Sequence, residues 1–111
     1  MTEDQLTAAC YQWWHEHYAE YRGLLWHVPN GGARHLAEAN RFKAMGVFPG
    51  VSDFLLLWNS RLYCFELKVG TNKQSDHQEY WQMMVEGEGA EYFLIKDLNT
   101  FKWTIRNIIG R

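Results

Sequence analysis

Residues 51–69 read VSDFLLLWNSRLYCFELKV, two mostly apolar runs on either side of Asn59 and Ser60. Each run has the length and composition of a β-strand, and the Asn-Ser pair between them is typical of a turn. Apolar residues occupy both faces of each run, as expected for central strands that helices cover. We therefore predict two strands, over residues 51–58 and 61–69, joined as a hairpin in the centre of a sheet.

The length of the turn decides which residues of this hairpin face each other. With a two-residue turn at Asn59 and Ser60, Asp53 lies opposite Glu66, and their Cβ atoms are only ~4.5–5.5 Å apart. Lys68 follows Glu66 by two residues and lies on the same face, because side chains alternate along a strand. The hairpin thus predicts two carboxylates and one amine grouped together.

Two carboxylates this close repel each other unless a cation lies between them, and burying an unpaired charge is costly. Mg²⁺ fits such a group because it prefers oxygen ligands, takes few protein carboxylates and keeps several waters. It lowers the pKa of a bound water and neutralises charge growing on a phosphate, while Lys68 orients or deprotonates that water or stabilises the transition state. The structural alternative is a surface ion pair between Glu66 and Lys68, with Asp53 only ending a turn, since structural ion pairs are frequent.

The segments around the hairpin predict alternating helices and strands. Thr2 as N-cap and Gln5 as the capping-box partner predict a helix over residues 3 to about 21, ended by Gly23. Further signals predict a strand over 24–28, a basic helix over 34–45 that stops at Gly46, a helix from Ser75 to about residue 86, a strand over 91–96 and a final helix or strand over 99–109. The chain has 111 residues and no repeat or linker, so we predict one domain over 1–111.

The composition, with 47% hydrophobic and 22% charged residues, is that of an ordinary globular protein. No apolar run is long enough to cross a membrane and no leader pattern opens the chain, so we expect a cytoplasmic protein. Cys10 and Cys64 are too few for a zinc ribbon, and in a reducing compartment we expect two buried thiols. The net charge of −2 argues against a general polyanion binder but is compatible with a local basic face on DNA.

Residues 43–53 read KAMGVFPGVSD, and residues 65–68 read FELK. Together they resemble the VRR-NUC family, a branch of the PD-(D/E)XK nuclease superfamily that phages and bacteria often encode. The loop PNGGAR at residues 29–34 and the helix start SDHQ at residues 75–78 are similar to the family's pattern, in the same order. One departure is Ser52, where the family usually has a proline; we expect a looser approach to the strand with no ligand lost.

The resemblance implies an α/β fold with a restriction-endonuclease-like core, in which helices flank a central mixed β-sheet. It implies an Mg²⁺- or Mn²⁺-dependent endodeoxyribonuclease that hydrolyses phosphodiester bonds. Stand-alone members of the family are associated with homodimers and with cleavage of branched DNA such as four-way junctions. The resemblance therefore implies branched DNA as a partner and a second copy of the chain, acting in the host-cell cytoplasm if the protein is phage-encoded.

The resemblance also assigns roles to individual residues. It implies that the metal is held by Asp53, Glu66 and the main-chain carbonyl of Leu67, with Glu3 helping directly or through water. Lys68 takes the role of the catalytic lysine. Gln78 is expected near the site, where it holds Glu3, metal waters or the phosphate. Helix spacing does not choose between Glu3 and Asp4, and only the family pattern favours Glu3.

Several polar residues are candidates for binding DNA: Asn30, Arg34, Arg41, Lys43 and Lys73. The arginines and Lys43 contact phosphates from one side of the predicted basic helix, or that side is only a solvated helix face. Asn30 and the glycines after it let the backbone approach a DNA strand closely, or only form a turn. The sequence does not choose between these interpretations.

Histidines and tryptophans receive structural interpretations. His27, His35 and His77 lack the spacing of metal ligands, and Mg²⁺ does not favour imidazole, so we expect structural or surface roles for them. The six tryptophans are expected in the core or at a dimer interface, and base stacking is a lesser possibility for an exposed one.

Two other functions fit the same residues. A sequence-specific or nicking restriction-like endonuclease needs a base-reading element, for which 111 residues leave little space. A catalytically silent DNA-binding accessory module is argued against by the intact acidic pair and lysine, because carboxylates near phosphates weaken binding.

Overall fold

The computed structural model of the protein describes residues 1–29 and 36–111, apart from the Leu36 side chain. Within these ranges the helices and strands are, in chain order, α1 (Glu3–His17), β1 (Leu25–His27), α2 (Leu36–Ala44), β2 (Phe54–Trp58), β3 (Arg61–Leu67), α3 (Asp76–Gly87), β4 (Glu91–Ile95) and α4 (Leu98–Ile109). The strands form one sheet in the order β1-β2-β3-β4. The first two pairings are antiparallel and the pairing of β3 with β4 is parallel, which confirms the predicted mixed sheet.

The central hairpin has the predicted register. Asn59 and Ser60 alone connect β2 to β3, and both have positive φ angles, of 50° and 63°. Two residues in this conformation form the tight turn whose twist matches that of the flanking strands. Trp58 then pairs with Arg61 and Phe54 with Phe65, so the antiparallel register extends toward Asp53 and Glu66.

Both strands of the hairpin are shorter than predicted, because the regular backbone pairing between them ends next to Asp53, at Phe54 and Phe65. Asp53 Oδ2 accepts the Leu67 N–H at 2.7 Å, so a side chain takes the place that a backbone carbonyl has in a regular ladder. The Asp53 carbonyl oxygen accepts the Val28 N–H at 2.8 Å. The backbone is therefore hydrogen-bonded beyond the last regular pair, although it no longer forms a strand.

The hydrophobic core lies on one face of the sheet, under α1 and α4. Alternate residues of the hairpin point into it, and those four side chains are fully buried: Phe54, Leu56, Phe65 and Leu67. Helix α1 contributes Leu6, Cys10, Trp13 and Trp14, and α4 contributes Phe101 and Ile105. The other face carries Glu66 and Cys64, and there Trp81 of α3 packs against Tyr92 of β4 with ring centroids 6.2 Å apart. Cys10 and Cys64 are both free and buried, which confirms the prediction for the thiols.

Three predicted boundaries need correction or completion. Helix α1 ends at His17 rather than near residue 21, because Tyr18 leaves the helical conformation (φ −129°, ψ 54°) to stack on Trp14, and a 3₁₀ helix follows over Ala19–Leu24. Residues 34 and 35 of the predicted basic helix lie outside the described residues, and the rest of that helix is α2. The last segment is a helix, with Asp97 as its N-cap. None of the described helices is long and apolar enough to span a membrane.

Candidate active site

The acidic pair and the lysine lie together at one end of the central hairpin. Asp53 immediately precedes β2, Glu66 is the penultimate residue of β3, and Lys68 follows that strand. Lys68 Nζ is 3.6 Å from Glu66 Oε2, and the two side chains are only 12% and 3% exposed. Glu66 and Lys68 therefore do form an ion pair, but this pair is not at the surface, as the structural alternative assumed.

The two oxygens of the Glu66 carboxylate have different surroundings. Oε2 accepts the Gln78 Nε2–H at 2.9 Å and also faces the Lys68 ammonium. Oε1 is buried and has no hydrogen-bond partner among the residues that the structure describes. Buried polar atoms are almost always paired, because leaving one unpaired costs roughly 1–3 kcal/mol. Within the described part of the chain, Oε1 is therefore the polar atom of the site that most clearly lacks a partner.

Burial and mutual repulsion make the charge of the acidic pair costly. Burial, and after it the Asp53 carboxylate, raise the pKa of Glu66 to about 8, while Lys68 acts in the opposite direction. Burial also raises the pKa of Asp53; the Leu67 N–H, a hydrogen bond with the Glu66 carboxyl group and neighbouring His27 oppose this, and the charge of Glu3 adds to it. A divalent cation would offset these costs, because it is attracted to both carboxylates at once.

Glu3, and not Asp4, is the residue of the first helical turn that lies beside the site. Glu3 is half-buried and close enough to Asp53 to raise the pKa of that carboxyl, whereas Asp4 is exposed. Glu3 Oε2 accepts the Asn72 Nδ2–H at 2.7 Å. Among the described residues, no three or more His, Cys, Asp or Glu side chains are grouped so as to hold a metal ion. Glu3 thus stands just outside the pair formed by Asp53 and Glu66.

The donor atoms at this point suit a hard divalent cation. Glu66 presents an unpartnered oxygen, Asp53 presents a second carboxylate, and Leu67 lies between Glu66 and Lys68 with its main-chain carbonyl. Oxygen donors of this kind are those that Mg²⁺ and Mn²⁺ take in proteins, with water completing the coordination. The residues predicted as metal ligands therefore fit a metal in chemical type, and Glu3 lies beside them.

Gln78 connects the start of α3 to the acidic pair. Ser75 Oγ accepts the Gln78 N–H at 3.2 Å, and Gln78 Oε1 accepts the Ser75 N–H at 2.9 Å, which makes a complete capping box. The amide nitrogen of the same side chain donates to Glu66. Because both ends of the amide are used, its orientation is fixed, and the position predicted for Gln78 near the site is observed.

The loop before β2 is packed against this helix start. Gly50 has a φ of +87°, and a Cβ there would collide with the His77 carbonyl group. Ser52, at the position where a proline was expected, is fully buried and its Oγ donates to the Phe54 carbonyl oxygen at 3.0 Å. This hydrogen bond restrains the approach to the strand that the missing proline was expected to loosen.

Of the basic residues predicted to bind DNA, the structure describes Arg41, Lys43 and Lys73. Lys43 lines a groove of about 610 Å³, together with Phe48, Gly50 and Gln78, so that the groove adjoins the acidic pair through Gln78. Arg41 and Lys73 are exposed, and the Arg41 guanidinium lies 5.3 Å from the Phe42 ring centroid. Asn30 and Arg34 lie outside the described residues.

Two residues beside the site were not singled out as functional from the sequence. His27 Nδ1 lies 2.7 Å from the Asp53 carbonyl oxygen, and its ring packs edge-on against Phe54 with centroids 5.5 Å apart. Asn72 contacts Glu3 from a polar loop. The short apolar run over residues 24–28 places His27 on a strand, but no local pattern distinguishes Asn72 from its polar neighbours, because its contact spans 69 positions of the chain.

Comparisons with known proteins support the fold. No family profile matches the chain, and no curated protein matches it. A solved structure described as a "VRR_NUC domain protein" superposes with a TM-score of 0.81, covering 99% of this chain and 89% of that chain at 21% sequence identity. This likeness extends over the whole domain and confirms the predicted fold, a mixed sheet flanked by helices as in a VRR-NUC domain.

Proposed function

We propose that the protein is a metal-dependent DNA endonuclease of the VRR-NUC type that hydrolyses phosphodiester bonds. The observation that carries the proposal is the buried, unpartnered Oε1 of Glu66, next to Asp53 and Lys68 at the end of the central hairpin. An ion pair between Glu66 and Lys68 alone leaves this buried oxygen without a partner among the described residues. The likeness of the whole fold to a VRR_NUC domain protein supports the same proposal.

Each residue of the site has a distinct task in this proposal. Asp53, Glu66 and the Leu67 carbonyl hold the cation, which supplies Lewis-acid chemistry at the phosphate and its attacking water. Gln78 fixes Glu66 Oε2, so that Oε1 is turned toward the ligand. The Lys68 ammonium faces the same space and places a positive charge where negative charge grows on the phosphate. In the reaction, a bond forms between phosphorus and the water oxygen, and the bond from phosphorus to the leaving oxygen of the DNA strand breaks; the water loses a proton to solvent and the leaving oxygen takes one up.

The surface around the site offers positive charge to a DNA backbone. Arg41 and Lys43 are exposed on α2, and Lys73 is exposed on the loop after β3. We assign phosphate contacts to these three side chains, which compensate locally for the net negative charge of the chain. The groove lined by Lys43 and Phe48 leads from this basic surface to Gln78. We assign the protein to the cytoplasm, where such DNA is accessible.

Cleavage of branched DNA by a homodimer is the finer part of the proposal. Several large apolar side chains are exposed away from the acidic pair, among them Leu57 (45%), Met83 (63%) and Trp103 (66%). Leu57 and Met83 line one apolar cavity of about 740 Å³. Apolar surface of this kind marks interaction sites, and two symmetric copies of the chain would place two acidic pairs on the arms of one junction. A monomeric mass in light scattering would contradict the dimer.

The test is a panel of labelled DNA substrates incubated with the purified protein and Mn²⁺. We expect cleavage of four-way junctions and flaps in preference to plain duplexes. Asp53→Ala removes the activity, whereas Asp4→Ala, which changes an exposed acidic residue one position from Glu3, leaves it intact. Absence of cleavage on every substrate, or equal cleavage by Asp53→Ala, would refute the proposal. Discrete, sequence-defined cuts in random duplexes would instead identify a restriction-like enzyme.

A further inference from the structure

One hydrogen bond joins the first turn of α1 to the loop that follows β3. Asn72 Nδ2 donates to Glu3 Oε2 at 2.7 Å, a short distance typical of a bond to a charged acceptor. Glu3 lies in the first turn of its helix, where the Thr2 and Gln5 side chains already complete the cap. The Glu3 carboxylate is therefore not needed to cap the helix, and its partner is a residue far away in the chain.

The loop that carries Asn72 is anchored on both sides of this residue. Before it, the Gly70 carbonyl oxygen accepts the Lys96 Nζ–H at 3.4 Å. After it, Gln74 Nε2 donates to Gln82 Oε1 at 2.9 Å and to the Tyr92 hydroxyl oxygen at 3.1 Å. The same loop connects Lys68 to Gln78, the two side chains that contact Glu66 Oε2. Asn72 thus belongs to a segment whose position is coupled to the acidic pair.

Electrostatics explains why Glu3 needs such a partner. Glu3 and Asp53 are both acidic and lie close enough for their charges to repel each other. An unrestrained glutamate at a helix start would reduce this repulsion by turning into solvent, and it would also gain side-chain entropy. The Asn72 amide is an uncharged donor that holds one carboxylate oxygen without neutralising the group. The bond to Asn72 thus holds the Glu3 carboxyl group beside the acidic pair without adding a positive charge there.

We propose that Asn72 is a positioning residue that holds Glu3 at the edge of the metal site. There Glu3 accepts hydrogen bonds from the waters bound to the cation. This inference rests on the proposed function, because it assumes that Asp53 and Glu66 bind a divalent metal. Groups that orient or hydrogen-bond the inner ligands change metal affinity by about 10–100-fold when removed. Asn72 acts one step further out, through Glu3, so its effect lies at the lower end of that range.

The experiment measures Mn²⁺ binding by calorimetry, without DNA, and urea unfolding of the metal-free protein. We expect Asn72→Ala to weaken Mn²⁺ binding by about tenfold, the lower end of the effects known for groups that orient metal ligands. The urea midpoint should stay unchanged, because the lost hydrogen bond is exposed. Asn107→Ala is the matched control: Asn107 is also exposed and donates to the Trp103 carbonyl oxygen within α4, so neither measurement should change.

Repeating the substitution in the Glu3→Gln variant shows whether Asn72 affects metal binding through Glu3 or independently of it. If Asn72 acts through Glu3, Asn72→Ala has no further effect on Mn²⁺ affinity once Glu3 is replaced. Unchanged Mn²⁺ affinity in Asn72→Ala overturns the inference, and so does an equal loss of affinity in both backgrounds. If the wild-type protein binds Mn²⁺ and Asn72→Ala binds it equally well, only this inference fails. If the wild-type protein binds no Mn²⁺, the proposed function fails with it.

Discussion

Gln78 donates its side-chain amide to Glu66 Oε2 at 2.9 Å, while the carbonyl oxygen of the same amide accepts the Ser75 N–H and caps helix α3. One side chain therefore belongs both to the secondary structure and to the candidate site. The cap fixes which way the amide points, and the amide in turn fixes which oxygen of Glu66 is left without a partner. Helix α3 thus holds the Glu66 carboxyl group in the orientation that we propose binds a cation.

Replacing Gln78 with glutamate tests this double role. Gln78→Glu keeps an acceptor for the capping box but removes the N–H donor and places a third carboxylate beside Glu66. We expect helix α3 to remain folded and metal-dependent cleavage to fall by about 10–100-fold, as for other groups that orient metal ligands. Gln5→Glu is the matched control, since Gln5 closes the equivalent box on α1 and is exposed. Equal activity of the two variants would show that the Gln78 amide does not support the site.

Gly50 provides a test of the packing that holds α3 in place. Gly50→Ala places a methyl group against the His77 carbonyl and forces a residue with a side chain to keep a positive φ. Gly46→Ala is the control for backbone strain alone, because its φ of +92° is similar and no atom of the described residues lies within 4 Å of the added carbon. Strain of this kind costs roughly 1–2 kcal/mol in both variants.

The collision adds a further penalty in Gly50→Ala only, of about 1–3 kcal/mol, as in other overpacked sites. Urea unfolding should therefore show a larger loss of free energy for Gly50→Ala than for Gly46→Ala. Cleavage should fall selectively in Gly50→Ala, because the displaced helix start carries Gln78. Indistinguishable stabilities for the two variants would contradict the close contact between Gly50 and His77.

Stability without metal should depend on pH through Glu66. The pKa of this carboxyl is raised from 4.5 to about 8 in the folded protein, chiefly by burial, so the folded state holds a proton that the unfolded state releases. The unfolded state therefore binds fewer protons between these two values, and stability decreases as pH rises through that window. We expect the urea midpoint in chelator to fall between pH 5 and pH 8.5, and to fall less in Glu66→Gln.

A metal should reverse this pH effect, because it binds only the folded, deprotonated site. Adding Mn²⁺ at pH 8.5 is expected to restore the urea midpoint of the wild-type protein and to leave Glu66→Gln unchanged. The same slope with pH in both proteins would show that Glu66 titrates normally. The burial of its carboxylate would then have to be revised.

The fold was largely predictable because its decisive element is local. A two-residue turn at Asn59 and Ser60, together with the alternation of side chains, fixes the register of the hairpin and therefore the neighbourhood of Asp53 and Glu66. The start of α1 followed in the same way from its capping residues. Its end did not, because Tyr18 leaves the helix where its hydroxyl donates to the Arg111 carbonyl oxygen at 2.6 Å, a contact across 93 positions of the chain.

The site was predictable in part for the same reason. The strand pattern groups Asp53, Glu66 and Lys68, but it says nothing about how deeply they are buried or which oxygen stays unpartnered. Burial depends on α3 covering that face of the sheet. The bond between Asn72 and Glu3 is a long-range contact between two polar segments, and such contacts have no periodic signature in the sequence.

The central claim is that Asp53 and the unpartnered oxygen of Glu66 bind a divalent cation. Calorimetric titration of the metal-free wild-type protein and of Glu66→Gln with Mn²⁺, at pH 8.5 and without DNA, tests it most directly. The wild-type protein should bind Mn²⁺ at one site per chain, and Glu66→Gln should lose that site while keeping its fold. No binding to the wild-type protein, or equal binding to both proteins, would contradict the claim.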